Sequence, residues 1–173
     1  AYDRSGEIEA SIPYYQYIAN LEKNAYSERA LVQISEFYLE NDDWEEAISL
    51  LLRLEQGAES YESLIFAQRN LMKGYYGLKN YEMAENYADK VLQQDNLDTK
   101  VTSDANIIIA RSAFESGEMI KAEEAFAKVG ETASGEMKAE TLYYDAYFKY
   151  EEGNYKLSNV SVQEIASKDA EYR

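Results

Sequence analysis

Apolar positions along this chain recur every three or four residues and only rarely every second one, which is the period of a buried helix face. Leu31, Ile34, Phe37 and Tyr38 form one such stripe, expected on a helix over residues 26–40. Trp44, Ala47, Ile48, Leu51 and Leu54 form the next over 44–57, followed by Leu64, Ala67, Leu71 and Tyr75 over 61–78. Ala84, Ala88, Val91 and Leu92 mark 81–93; Ile109 and Ala113, with Ile107 beside them, mark 99–115. Ala122, Phe126 and Val129 then mark 118–129, Leu142, Ala146 and Tyr150 mark 136–151, and Leu157, Val162 and Ile165 mark 154–167. An opening helix runs from residue 7 or 11 to 22, with Ile8, Ile12, Tyr15 and Ile18 inward. Pro13 either falls in its first turn or kinks it. The repeat described next favours the earlier, kinked start. The pattern predicts about nine helices joined by short polar turns.

The turns repeat as well. Trp44, Tyr81, Met119 and Tyr155 each follow a polar turn and stand 37, 38 and 36 residues apart. Three residues after each comes Ala47, Ala84, Ala122 or Ser158, and a weaker copy begins at Ser5-Gly6-Glu7-Ile8. Such a period marks hairpins that cannot cover their apolar faces alone and must stack. The small residue is expected where the two helices of a hairpin come closest. Asp43 and Glu46 form an expected capping pair for the helix at Trp44. No composition shift divides the chain, so residues 1–173 are expected to form one domain. Because it begins at Ala1 rather than Met, a piece of a longer repeat protein is expected.

Composition narrows the chemistry. With 33 acidic and 17 basic residues the net charge is −16, and no run of Lys or Arg offsets it, so a nucleic-acid partner is not expected. Cysteine and histidine are both absent, which removes disulfides, thiolate and imidazole metal sites, and His- or Cys-based nucleophilic triads. No apolar run approaches the roughly 20 residues of a membrane-spanning helix. Gly74 and Gly77 sit singly near a helix end rather than in a phosphate-cradling loop. Asn41-Asp42-Asp43 and Asp95-Asn96-Leu97-Asp98 lack calcium-loop spacing and read as turn and capping residues. Neither a metal, a cofactor nor a catalytic residue is expected, and the chain reads as a non-enzyme.

A large residue after the turn, Ala three later, and then Leu51, Phe126 or Val162 and Leu54, Val91, Val129 or Ile165 resembles the tetratricopeptide repeat (TPR-like) family, over nearly the whole chain. The resemblance implies an all-α, right-handed α-α superhelix, a solenoid of antiparallel helix hairpins, acting as a protein-binding scaffold. The period exceeds the usual 34 residues. Ser35, Met72, Ala110 and Ala146 stand where the family has Gly, and the closing proline is missing. Longer, degenerate repeats look like those of bacterial envelope-associated members, which tilts the compartment toward the periplasm or envelope. In such stacks the first helix of each pair lines a concave face where a protein or peptide partner lies. Projected onto this chain, the rule gives Arg69, Lys73 and Tyr76, then Ile107, Arg111 and Phe114, then Tyr143, Tyr147 and Tyr150. Arg69, Lys73 and Arg111 form a basic cluster, for which Asp104 or Glu115 are the ordinary counter-ions. The family's carboxylate clamp is matched by Asn70 alone. A structural module that self-associates into a homo-oligomer through its terminal helices is the alternative. Its basis is that Ile12, Tyr15, Ile18, Val162 and Ile165 have no expected neighbour.

Overall fold

A computed structural model describes residues 4–21, 24 and 26–167, with side chains from residue 10 onward. Among the described residues there are nine helices and no strand: α1 (Arg4–Asn20), α2 (Ser27–Glu40), α3 (Trp44–Gly57), α4 (Tyr61–Gly77), α5 (Tyr81–Leu92), α6 (Thr99–Glu115), α7 (Met119–Thr132), α8 (Gly135–Glu151) and α9 (Tyr155–Ser167). The chain forms two compact units, Ala1–Gln94 with α1 to α5 and Asp95–Arg173 with α6 to α9.

Four turns share one construction. Asp42, Lys79, Gly117 and Gly153 take left-handed backbone with φ of 57°, 58°, 80° and 79°, each two residues before the next helix begins. The following N–H of Asp43, Asn80, Glu118 or Asn154 reaches back to the carbonyl of Tyr38, Tyr75, Ala113 or Lys149 at 2.8–2.9 Å. This is a Schellman closure, which satisfies carbonyls that a helix end leaves orphaned. A fixed turn delivers the next helix antiparallel to the last, which is why the repeat in sequence becomes a repeat of hairpins.

In the first unit, α1 pairs with α2, α2 with α3, α3 with α4 and α4 with α5. The hairpin-crossing positions Ala47 and Ala84 are fully buried, as are Leu51, Leu54, Leu71, Met72, Ala88 and Val91. Gly74 and Gly77 bring α4 onto α3. A Cβ at Gly77 would lie 2.8 Å from Trp44 Cε2, and one at Gly74 would lie 3.0 Å from Ile48 Cγ1. The N-terminus of α4 is held from α2: the Glu28 carboxylate accepts from the Glu59 N–H, from Ser60 Oγ at 3.1 Å and from Ser63 Oγ at 2.9 Å. In the second unit α6 pairs with α7, α7 with α8 and α8 with α9, around Ala110, Ala113, Ala122, Phe126, Val129 and Phe148.

Several expectations are corrected. The first helix begins earlier than residue 7 and contains Pro13, which is exposed. It ends at Asn20; Glu22 and the side chain of Ile8 lie outside the described residues. Asp43 does cap α3 by position, but its side chain makes no capping bond, and the backbone turn closes the junction. The seventh helix runs on to Thr132, because Lys138 Nζ donates to the Gly130 carbonyl at 2.6 Å and the Ala133 N–H bonds to Val129 at 3.0 Å. Leu157, Val162 and Tyr150, expected inward, are 46%, 50% and 58% exposed. The buried face of α9 is instead Ser158 and Ser161, which donate to the Ala146 carbonyl at 2.8 Å and to the Asp145 carboxylate.

Candidate functional site

On α8, Tyr143, Tyr147 and Tyr150 recur at helical spacing, so they share a stripe. Tyr143 and Tyr150 are 60% and 58% exposed, while Tyr147 is half-buried. Rings beneath fix the stripe in place. Tyr147 meets Phe114 of α6 edge-on at 5.4 Å, and Tyr143 meets Tyr144 edge-on at 5.3 Å. Tyr144 stacks on Phe126 of α7 at 3.9 Å, and Tyr150 meets Tyr155 of α9 at 5.1 Å. Aromatic pairs of this geometry contribute about 0.5–1.5 kcal/mol each beyond their buried area. Tyr143 and Tyr147 therefore stand on a packed aromatic floor, whereas the partner of Tyr150, Tyr155, is itself 63% exposed.

Arg111 of α6 lies in the same unit. Its Nε donates to Glu140 Oε1 and its Nη2 to Glu140 Oε2, both at 2.6 Å. This two-pronged pairing is the ordinary pairing with a carboxylate, made here with Glu140 of α8, and it ties α6 to α8. Phe114 is half-buried under the tyrosines. Ile107 is only 4% exposed and belongs to the core with Phe126 and Phe148, so its side chain offers no surface for a partner. The helix turn that carries Ile107 places it with Ala110 toward α7, not outward.

Arg69, Lys73 and Tyr76 are half-buried on α4 of the first unit, where the Tyr76 ring lies 5.7 Å from that of Tyr81. The Asn70 amide donates to its own helix, at the Phe66 carbonyl 2.8 Å away.

Two features escaped the sequence. Tyr144 was overshadowed by the outward stripe of its neighbours; its spacing of four from Phe148 was the available signal. The second is a polar hub on Glu55 of α3. Its carboxylate accepts from Gln68 Nε2 at 3.1 Å, Tyr87 OH at 3.0 Å and Lys90 Nζ at 3.2 Å, linking α3 to both α4 and α5. Tyr75 stacks on Tyr87 at 5.5 Å, and the Lys90 ammonium lies 4.2 Å from the Tyr87 ring centre. Burial, and then the bond to the Glu55 carboxylate, push the Tyr87 hydroxyl well above the usual phenol range, so it stays a proton donor. No sequence spacing announces this hub, because its partners are 13 to 35 residues away along the chain.

Among the described residues no group of three acidic side chains could hold a metal ion, and no helix is long and apolar enough to cross a membrane. No protein-family model matches the sequence, and no curated protein does. Solved structures do. The chain has the all-α superhelical repeat fold of the TPR-like class. It is similar to the MamA RS-1 ArsTM double mutant at 14% identity and a TM-score of 0.75, covering 96% of this chain and 88% of that one. MamA 41-end from Desulfovibrio magneticus RS-1 gives the same identity and coverage at a TM-score of 0.74. The putative kinesin light chain of Podospora anserina, with nearly identical TPR-like repeats, gives 16% identity and a TM-score of 0.69 over 98% of this chain and 90% of that one.

Proposed function

We propose that this chain is a non-catalytic scaffold that grips a protein or peptide partner on the first helices of its hairpins, with the α8 tyrosine stripe as the principal contact. The carrying observation is that Tyr143 and Tyr150 are more than half exposed while Tyr144, beside Tyr143, is stacked on the buried Phe126. Large rings cost little conformational entropy to immobilise and dominate binding hot spots; a fixed floor lowers that cost further. Arg69, Lys73 and Tyr76 on α4 are proposed as a second contact patch in the first unit. The fold likeness supports the reading by analogy.

The test is affinity capture from a source-cell lysate with the native chain beside Tyr143→Ser/Tyr150→Ser. Both positions are exposed, so the double variant loses only their ring contacts with Tyr144 and Tyr155, and a thermal melt checks that it is folded. Arg111 is a poor test residue: reversing its charge sets two carboxylates against each other at Glu140 and disturbs the unit itself. A protein held by the native chain and lost by the double variant supports the scaffold. A protein held equally by both removes the tyrosine stripe from the account.

A further inference from the structure

The first two hairpins differ at equivalent positions by one carboxylate. Counted from Ile8, Trp44 and Tyr81, which follow equivalent turns, Ala19 stands in the place of Glu55 and Arg53 in the place of Lys90. Leu31 and Gly57 likewise stand where the next repeat has Gln68 and Gln94. Where the α4–α5 hairpin opens, away from its turn, these residues close on one another. Lys90 Nζ and Gln68 Nε2 donate to Glu55 Oε1 at 3.2 and 3.1 Å, and Gln94 Nε2 donates to Gln68 Oε1 at 3.2 Å. The cation there has its carboxylate, and two amides fill the opening.

The α2–α3 hairpin keeps the cation and loses the rest. With Ala19 where Glu55 would be, Arg53 Nη2 donates to the Ala19 backbone carbonyl at 2.7 Å. A guanidinium has donors to spare beyond that bond. Among the described residues Arg53 nevertheless pairs with no carboxylate, in a chain with 33 acidic residues. Beside it lies a cavity of about 290 Å³, bounded by Ala19, Leu31, Arg53, Leu54 and Gly57 among others. That is near the lower end of the volumes that hold small ligands. Its floor is apolar, since Ala19, Leu31 and Leu54 are 7%, 8% and 0% exposed.

The lining selects the chemistry. Glu28 and Glu59 border the same cavity, and the Glu28 carboxylate is already engaged by the Glu59 N–H, Ser60 and Ser63. A ligand with several negative charges would meet those two side chains. An uncharged apolar ligand would leave the spare donors of Arg53 unmet. One carboxylate on an apolar tail satisfies both the cation and the floor, and the next hairpin shows a carboxylate bound to the equivalent cation.

We propose that this cavity binds a small aliphatic monocarboxylate, its carboxylate on Arg53 and its tail over Leu31 and Leu54. The seat is separate from the α8 tyrosine stripe and does not depend on it.

The probe is hexanoate, titrated into the whole chain by calorimetry beside hexanamide, which has the same shape without the charge. Saturable binding of hexanoate is expected, with hexanamide weaker by roughly tenfold or more, as for loss of a charge-assisted hydrogen bond. Arg53→Gln should weaken hexanoate by a similar factor. Gly57→Gln should block it by supplying the side chain that Gln94 supplies to the next hairpin; a Cβ at Gly57 meets nothing within 4 Å, so the fold tolerates the change. Lys128→Gln, which removes the same charge from an exposed position on α7, should leave affinity unchanged. Thermal melts of each variant separate lost binding from lost fold. Acetyl-glycyl-leucine carries the same chemistry at a chain end: if it binds more tightly than hexanoate the seat takes a peptide terminus, and if more weakly, a free acid. The proposal is overturned if hexanoate does not saturate, if hexanamide binds equally well, or if folded Arg53→Gln and Gly57→Gln bind as the native chain does.

Discussion

Replacing Gly77 by Ala adds one methyl group where α4 lies on α3. That methyl would stand 2.8 Å from Trp44 Cε2 and 3.0 Å from both Cδ2 and Nε1, well inside ordinary contact. The indole must retreat or α4 must lift. Neither is free to do so, since one turn away Gly74 already brings α4 against Ile48. Overpacking of this kind costs about 1–3 kcal/mol. Ala gains up to about 1 kcal/mol over Gly in a helix interior, and less here because Gly77 is the last residue of α4. The balance is a loss of about 0.5–2.5 kcal/mol, and each kcal/mol lowers Tm by about 2–4 °C in a chain of this size. Trp44 is the single tryptophan, so its emission reads this contact directly. Urea unfolding followed by fluorescence and by circular dichroism gives the stability. In a Trp44→Leu background the same glycine change should be neutral or stabilising, leaving a coupling energy of about 1 kcal/mol or more. A Gly77→Ala variant as stable as the native chain, with unshifted tryptophan emission, refutes the close contact.

Other expectations follow from the same geometry. Ala84→Phe or Ala122→Phe puts a ring at a fully buried hairpin crossing and should lower stability by at least about 1–3 kcal/mol; an unchanged melting temperature contradicts the helix pairing. Lys79→Gly relieves a side chain held at φ 58° in an exposed turn, and urea unfolding should show a gain of about 0.5–1 kcal/mol once the added chain entropy of glycine is subtracted. Glu28 is held below the usual carboxylate range chiefly by the Glu59 N–H, against a smaller opposing effect of burial, with Ser63 and Ser60 assisting. Its folded pKa is thus lower than its unfolded one, near 4.3. Its contribution is full above that value and fades as pH falls through the lowered one. Glu28→Gln should therefore destabilise at neutral pH, with the difference from the native chain shrinking in acid; a gap that stays constant from pH 7 to about pH 3 contradicts the assignment.

Helix positions were legible in the sequence because one turn recurs. A large residue after a polar turn marks the first residue of α3, α5, α7 and α9, and the boundaries of α6 came out as read. Buried faces were legible wherever helices lie on both sides: Ala47, Ile48, Leu51 and Leu54 are all buried. They failed on α9, where periodicity marks which residues share a face but not whether anything covers it. The site divides in the same way. Spacing placed Tyr143, Tyr147 and Tyr150 on one stripe and set Ile107 beside Ile109 and Ala113 on the inward side, where it lies; the rule projected from the family resemblance is what assigned Ile107 to a partner. Nor could local spacing name Glu140 as the partner of Arg111, because the two meet across helices 29 residues apart in the chain.

The scaffold reading turns on whether a partner touches the α8 stripe. The direct measurement is photo-crosslinking in source cells with a benzophenone amino acid at position 143, position 150, or the exposed position 128 on α7. The account predicts one discrete protein adduct from 143 and 150 and none from 128. Adducts of equal yield from all three positions, or none from 143 and 150, contradict it.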